Sequence, residues 1–121
     1  MSQSVTIYGI PNCDTVRKAV KWLEANQIEH EFVDYRKNPL PRKEIENWDK
    51  AIGWETFLNK RSTAWKPLDQ SVKDNIDRDS ALDLMLDKVT LIKRPVLVLE
   101  NGKDIDVHLS FKPEQYQAIF N

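Results

Sequence analysis

The sequence has few of the residues on which disulfide frameworks and metal centres depend. It contains one cysteine, Cys13, and two histidines, His30 and His108, in 121 residues. One thiol cannot form an intramolecular disulfide, and one cysteine with two scattered histidines has no zinc-ligand spacing. We therefore expect neither a disulfide framework nor a bound metal.

Further absences concern membranes and nucleic acid. No apolar run approaches the roughly 18–20 residues of a membrane-spanning helix, and the first residues lead into a strand instead of a signal peptide. The 18 Lys and Arg residues are balanced by 19 Asp and Glu residues, so no overall basic field attracts nucleic acid. We expect one cytoplasmic domain over residues 1–121, with no membrane partner and no direct nucleic-acid partner.

The first 35 residues have the pattern of a strand, a helix and a second strand. Residues 5–8 are β-branched or aromatic, apolar residues recur at helical spacing from Val16 to Leu23, and residues 30–35 again favour a strand. Asn12 is the predicted N-cap of the helix. These elements predict a βαβ unit.

The middle of the chain is helical, and strands return towards its end. Apolar spacing predicts a helical insertion over about residues 40–90. Its first helical segment is opened by residues 39–41 and stopped by Gly53, and three more follow at 54–58, 68–76 and 80–89. An apolar run at 96–99, an Asn-Gly turn and an alternating segment at 104–109 predict a β-hairpin. Pro113 begins a terminal helix. The order βαβ, helical insertion, ββα predicts an α/β fold.

Cys13 lies at the junction of the first strand and the first helix. A helix N-terminus offers unpaired N–H groups and the positive end of the helix dipole to a thiolate, and Arg17 adds positive charge one turn later. The polar turn around Cys13 favours a reactive thiol over the alternative, a small buried hydrophobic residue. Val16 occupies the position at which a C-x-x-C motif would place its second cysteine. Any redox cycle therefore needs an external thiol, and glutathione is the candidate.

Two arginines have the setting of an anion clamp. Arg94 precedes Pro95 and an apolar strand, and its peptide bond with Pro95 is a candidate cis bond. Arg61 follows the helical segment at 54–58. A guanidinium suits carboxylates and oxyanions, although the residues alone favour a solvated surface charge at both positions.

Four ordered blocks of the chain resemble the ArsC/Spx family of arsenate reductase-like proteins. The blocks are Tyr8–Ala19, Asn59–Thr63, Leu91–Leu97 and Phe111–Glu114, the last of which matches the YffB-type branch. This resemblance implies a thioredoxin-like fold with a helical lobe inserted after the second strand. It also implies a nucleophile at Cys13, anion-contacting arginines at Arg61 and Arg94, and a cis-proline at Pro95.

The chain differs from the arsenate reductases at two of these blocks. Their His-Asn-Pro before the cysteine is replaced by Gly9-Ile10-Pro11, and Lys112 replaces their third arginine. Spx-type regulators usually carry a Cys-x-x-Cys switch, which Val16 removes here. We expect Cys13 to be catalytic and six residues to bind substrate: Asn12, Arg17, Arg61, Arg94, Pro95 and Lys112.

Three hypotheses follow for the function. The first is a glutathione-dependent monothiol reductase with no tightly bound cofactor, acting on an anionic small molecule or a thiol substrate. The second is an arsenate reductase coupled to glutathione and glutaredoxin. The third is a binding module that, like Spx, contacts RNA polymerase without redox chemistry. Co-purification with polymerase that survives Cys13→Ala would favour the third.

Overall fold

The computed structural model describes residues 3–120. Within them lie four strands, six α-helices and one 3-10 helix, in the chain order β1 (Ser4–Gly9), α1 (Asp14–Ala25), β2 (Glu31–Asp34), α2 (Arg42–Ile52), α3 (Trp54–Phe57), α4 (Gln70–Asp74), α5 (Arg78–Asp87), the 3-10 helix (Val89–Leu91), β3 (Val96–Asn101), β4 (Asp104–Leu109) and α6 (Pro113–Phe120).

The four strands form one mixed sheet in the order β2-β1-β3-β4. β1 is parallel to β2 and antiparallel to β3, and β3 is antiparallel to β4. Tyr8 pairs with Val33 on one side and with Val96 on the other, and Val96 pairs with Leu109. The carboxyl ends of β1, β2 and β4 and the amino end of β3 therefore meet at one end of the sheet. This arrangement confirms the predicted α/β, thioredoxin-like fold.

The chain divides into two compact units, the first of which comprises residues 3–38 and 94–120 of the described chain. Its core is a cluster of apolar side chains from the sheet and from α1 and α6. Successive side chains of a strand point to opposite faces of the sheet, and in β1 and β3 this directs Ile7 and Leu97 into the cluster, where both are fully buried. The rings of Trp22 and Tyr116 meet edge to face at 5.6 Å.

The second unit comprises Pro39–Lys93 and contains α2 to α5 and the 3-10 helix. Trp48 and Phe57 are fully buried in it, and their rings meet edge to face at 6.0 Å. Arg42 of α2 forms ion pairs with Asp79 and Asp83 of α5. The predicted insertion at about 40–90 falls inside this unit.

Several predicted helix boundaries differ from the structure. The first helix is capped by Cys13 and not by Asn12. The helix predicted at 68–76 is the shorter α4, which has no buried residue and hence no apolar face to lengthen it. The helix predicted at 80–89 begins earlier, at Arg78, because Asp77 caps it in a capping box with Ser80.

Candidate functional site

Cys13 is the N-cap residue of α1, at the end of the turn that follows β1. Its backbone is extended, with φ −112° and ψ 124°, and its carbonyl oxygen accepts the first helical hydrogen bond from the Arg17 N–H at 2.9 Å. The thiol is free and half-buried. Its side chain makes no capping hydrogen bond within the described residues. Cys13 therefore occupies the N-cap position, where the unpaired N–H groups of the first helical turn and the positive end of the helix dipole lie.

Arg17 binds back onto the turn that carries Cys13. Its guanidinium pairs with the Asp14 carboxylate and donates a hydrogen bond to the Pro11 carbonyl oxygen at 3.3 Å. Both charged side chains are well exposed. Arg17 thus links both sides of Cys13, and its charge is shared with Asp14. The neighbouring Asn12 is also exposed.

Arg94 and Pro95 lie at the amino end of β3. The peptide bond between them is cis, which confirms that expectation from the sequence. Pro95 is buried, Arg94 is half-buried, and the Pro95 carbonyl oxygen accepts a hydrogen bond from the Ser110 N–H at 3.0 Å. Because the turn to Cys13 leaves β1 at this same end of the sheet, the topology brings Arg94 and Pro95 to the end that carries the thiol.

A tyrosine that the sequence analysis did not single out belongs to the same end of the sheet. Tyr35 directly follows β2, is 1% exposed, and donates its backbone N–H to the Gly9 carbonyl oxygen at 3.2 Å. Arg94 and Cys13 are both within electrostatic reach of its hydroxyl group. Burial raises the pKa of Tyr35 to about 12, against the opposing positive charge of Arg94.

The sequence contained a signal that could have identified Tyr35. Tyr35 ends the second strand of a predicted βαβ unit, and Cys13 follows the first strand of that unit. Parallel strands place their carboxyl ends together, so a polar group at the end of β2 lies near the turn after β1.

The two remaining basic residues of the predicted site lie in different units. Lys112 is exposed and comes three residues after β4, whose carboxyl end shares the Cys13 end of the sheet. Arg61 belongs to the second unit and is exposed. There its backbone N–H donates to the Asn59 side-chain oxygen at 3.0 Å, and the neighbouring Ser62 is buried. Arg61 therefore projects from a turn whose backbone is held by local hydrogen bonds.

An apolar groove of about 320 Å³ adjoins the Cys13 turn in the first unit. Its apolar lining comes from Pro11, Val16, Val20 and Phe32, and Arg17 lies among the charged residues around it. Pro11 and Val16 also flank Cys13 in the sequence. The groove gives the thiol end of the molecule an apolar surface beside its charged groups.

Neither histidine has the surroundings of a catalytic base. His30 lies before β2, at the opposite end of the sheet, and its Nδ1 donates to the Ile28 carbonyl oxygen at 2.9 Å. His108 is half-buried within β4, opposite Leu97. Among residues 3–120, no three His, Cys, Asp or Glu side chains form a group that could hold a metal ion. No helix in that part of the chain is both long enough and apolar enough to cross a membrane.

Comparison with known proteins places these features in a family. The model of the ArsC family matches residues 8–119. An uncharacterized protein of Haemophilus influenzae is 43% identical over 96% of this chain and 98% of its own length. The arsenate reductase of Escherichia coli is 28% identical over 97% of this chain and 86% of its own length. The solved structure of the YFFB (PA3664) protein superposes with a TM-score of 0.84 at 36% identity, covering 95% of this chain and 97% of that one.

Proposed function

Because the chain belongs to the ArsC family, we propose that it is a glutathione-dependent monothiol reductase in which Cys13 is the nucleophile. The observation that carries the proposal is the setting of its single thiol. Cys13 is half-buried at the N-cap of α1, and its end of the sheet also carries Arg94 and the cis Pro95. A nucleophile is thus combined with a group that binds carboxylates.

The reaction requires two thiol–disulfide exchanges. The Cys13 thiolate attacks the glutathione sulfur of a glutathionylated substrate, so that a Cys13–glutathione disulfide forms and the substrate thiolate leaves and takes up a proton. A second glutathione thiolate then attacks the glutathione sulfur of this mixed disulfide. Glutathione disulfide leaves and the Cys13 thiolate is restored. The substrate gains two electrons, and glutathione supplies them.

The other residues bind and orient in this proposal. Arg94 binds a carboxylate of glutathione or an anionic substrate, and Lys112 adds positive charge. Asn12 and Pro95 present backbone and polar groups around the thiol. Glutathione is a co-substrate and no tightly bound cofactor takes part. Because the cycle depends on a reducing thiol pool, we assign the protein to the cytoplasm.

Kinetics with a glutathionylated peptide test this function. We expect turnover in a coupled assay with glutathione, NADPH and glutathione reductase, and a trapped glutathione adduct on the wild-type protein by intact mass spectrometry. Cys13→Ser provides the matched control, because the chain has no other cysteine. Equal turnover by wild type and Cys13→Ser would remove Cys13 from the mechanism.

A carboxylate comparison tests the role of Arg94. Glutathione and its glycyl ethyl ester differ by one carboxylate charge. We expect the wild-type protein to prefer glutathione in kcat/KM by about 5- to 10-fold, and Arg94→Gln to lose this preference. Equal preference in the two proteins would show that Arg94 does not bind that carboxylate.

Arsenate reduction is the second candidate, favoured by the similarity to the Escherichia coli arsenate reductase. In this reaction the Cys13 sulfur forms a bond to arsenic as oxygen leaves as water. Glutathione, with glutaredoxin, then supplies the two electrons that convert As(V) to As(III). The test is arsenate-dependent NADPH oxidation in the presence of glutathione, glutaredoxin and glutathione reductase. Lys112→Arg, which restores a bidentate donor, should increase this activity if arsenate is the substrate.

A further inference from the structure

We propose that the apolar groove beside the Cys13 turn is a substrate-binding subsite, which holds an extended polypeptide segment with an apolar side chain near its glutathionylated cysteine and an acidic side chain close by. This subsite rests on the proposed function and deepens it, because it names the class of thiol substrate, a polypeptide and not a small anion. All of its residues belong to the first unit.

The groove lies between α1 and the edge strand β2. Val16 and Val20 come from successive turns of α1, and Phe32 comes from β2. Pro11 lines the groove from the turn that carries Cys13, so the groove begins beside the thiol. Val20 and Phe32 pack on the core cluster and are only half-buried, which leaves part of each apolar side chain facing the groove. The volume of about 320 Å³ is that of a small ligand pocket.

The outer edge of β2 offers backbone groups to an extended chain. β2 is the first strand in the sheet order, and no other strand among residues 3–120 pairs with that edge. The Tyr35 N–H donates to the Gly9 carbonyl oxygen, and backbone groups alternate in direction along a strand, so the N–H and carbonyl groups of Phe32 point away from β1. Neither group has a hydrogen-bond partner within the described residues. An extended polypeptide can therefore bond to both backbone groups of the residue whose side chain lines the groove.

The rim of the groove is basic on the side of the thiol. Arg17 and Lys21 lie one turn apart on α1, and both line the groove. The Arg17 guanidinium is paired with the Asp14 carboxylate, whereas the Lys21 ammonium group forms no ion pair in the part of the chain that the structure describes. Glu24 lines the groove further along the helix, away from the thiol turn. Lys21 thus complements an acidic side chain, which orients the segment, while the apolar wall supplies most of the binding because exposed ion pairs contribute little.

Two glutathionylated peptides test the apolar wall. The apolar probe is a capped heptapeptide with cysteine at its centre, leucine two residues to either side and serine elsewhere, and in the polar probe asparagine replaces both leucines. Residues two apart share one face of an extended chain, and leucine on both sides allows either direction of binding. We define the apolar preference as the ratio of kcat/KM for the apolar probe to kcat/KM for the polar probe. It should be about 5- to 10-fold in the wild type.

Two substitutions of valine by threonine separate the groove from a general structural effect. Val20→Thr places a hydroxyl group in the apolar wall and should reduce the apolar preference to less than about 2-fold. Val33→Thr is the matched control, because Val33 is also half-buried but follows Phe32 in β2 and therefore lies on the opposite face of the sheet. It should keep the wild-type preference. An unchanged preference in Val20→Thr, or an equal loss in both variants, would overturn the inference.

A charge reversal tests the rim. A second pair of probes carries glutamate or lysine in place of the two terminal serines of the apolar probe. At about 0.15 M salt, the wild type should prefer the acidic probe about 2- to 3-fold in kcat/KM, and Lys21→Glu should prefer the basic probe. Lys18→Glu changes the net charge equally at an exposed position of α1 outside the groove, and it should keep the wild-type order. Reversal in both variants, or in neither, would remove the acidic residue from the proposed substrate.

Binding without chemistry separates this inference from the proposed function. An apolar probe with serine in place of cysteine cannot react with the thiol, and its binding is followed by the amide chemical shifts of the nitrogen-15-labelled wild-type protein. We expect the largest changes at Val20, Lys21 and Phe32, and smaller changes with the corresponding polar probe. A protein without turnover can still show these shifts, whereas turnover with equal kcat/KM for both probes would leave the proposed function standing and overturn the subsite. Shifts at the same amides that depend on protein concentration without any probe would assign the groove to a second copy of the chain and also overturn it.

Discussion

Val16 of α1 lies directly against the backbone of Gly9 at the end of β1. A Cβ atom on Gly9 would be 2.7 Å from Val16 Cγ2 and 3.3 Å from Cγ1. Val16 is 1% exposed and β-branched, so its side chain has little room to move away. The turn that presents Cys13 is thus closed by contact between a residue without a side chain and a buried valine on the first turn of the helix.

Gly9→Ala should destabilise the protein through this contact. We expect a loss of about 1–3 kcal/mol in the free energy of unfolding, because the added methyl group forces Val16 or the helix to shift. Urea denaturation of the wild type and Gly9→Ala measures the loss.

The control is a double-mutant cycle with Val16→Ala. Val16→Ala alone should cost about 1–3 kcal/mol through the cavity that it leaves. The added Cβ would be 3.6 Å from Val16 Cβ, which is an ordinary contact, so the clash disappears when Val16 is alanine. The loss of stability in the double variant should therefore be smaller than the sum of the two single losses by at least about 0.5 kcal/mol. Strictly additive losses would contradict the steric explanation.

Arg17→Gln should affect anion recognition less than Arg94→Gln. The Arg17 guanidinium is exposed and already contacts the Asp14 carboxylate and the Pro11 carbonyl oxygen. Its removal therefore mainly eliminates a local ion pair, which is worth little at the surface. We expect Arg17→Gln to change the preference for glutathione over its ethyl ester by less than about 2-fold. Arg94→Gln should change the same preference by about 5- to 10-fold. Equal effects would make Arg17 a binding residue, as the sequence alone suggests.

The alkaline stability of the protein should depend on Tyr35. Its pKa is 10.0 in the unfolded chain and about 12 in the folded protein, so between these values the unfolded chain releases a proton that the folded protein retains. The contribution of Tyr35 to the free energy of unfolding is therefore fully present below pH 10 and is lost as the pH rises through 12. The loss is at most about 1.4 kcal/mol per pH unit. The free energy of unfolding can be measured by guanidinium denaturation between pH 9 and pH 11.5, a range of about 2.5 units. It should fall less steeply with pH in Tyr35→Phe than in the wild type.

Burial also raises the pKa of Tyr116. Tyr116→Phe should therefore also make the free energy of unfolding fall less steeply at high pH. In the double variant with Tyr35→Phe the two effects should add. A decline that neither substitution alters would mean that other groups control alkaline unfolding.

Asp77 should stabilise the second unit through its cap on α5. Its side chain accepts a hydrogen bond from the Ser80 N–H at 2.9 Å, and this bond holds the pKa of Asp77 below its ordinary value of 3.8. Asp77→Ala should lower the melting temperature at neutral pH. Asp77→Asn should lower it much less, since asparagine caps a helix as well as aspartate does.

The pH dependence provides the check on Asp77. The pKa of Asp77 is lower in the folded protein than in the unfolded chain. The stabilisation by the charged cap is therefore present above pH 3.8 and is lost as the pH falls through the pKa of the folded protein. The difference in melting temperature between wild type and Asp77→Ala should therefore narrow in acid. A difference that stays constant down to pH 2, about two units below the ordinary pKa, would exclude the charged cap as its cause.

The regular elements could be predicted because their signals are local. The Asn-Gly turn and the alternating 104–109 segment predicted the hairpin, and the structure confirms β3 and β4 with Gly102 at φ +67°. α4 was predicted too long because it has no buried apolar face to extend it. The N-cap was misplaced by one residue because Asn12 and Cys13 are both compatible with a helix start, and only the backbone of the turn distinguishes them.

The amino-acid sequence by itself determined the lone thiol, its place between a strand and a helix, and the need for an external thiol in any redox cycle. These follow from composition and from periodicity within short segments. The tertiary structure alone decided that Tyr35 and Arg94, separated by a whole helical unit in the chain, lie at the end of the sheet that carries Cys13. It also decided that Gly9 and Val16 close the turn around Cys13. Contacts between residues so far apart, or between a strand and the following helix, depend on strand order and side-chain packing, which no local pattern encodes.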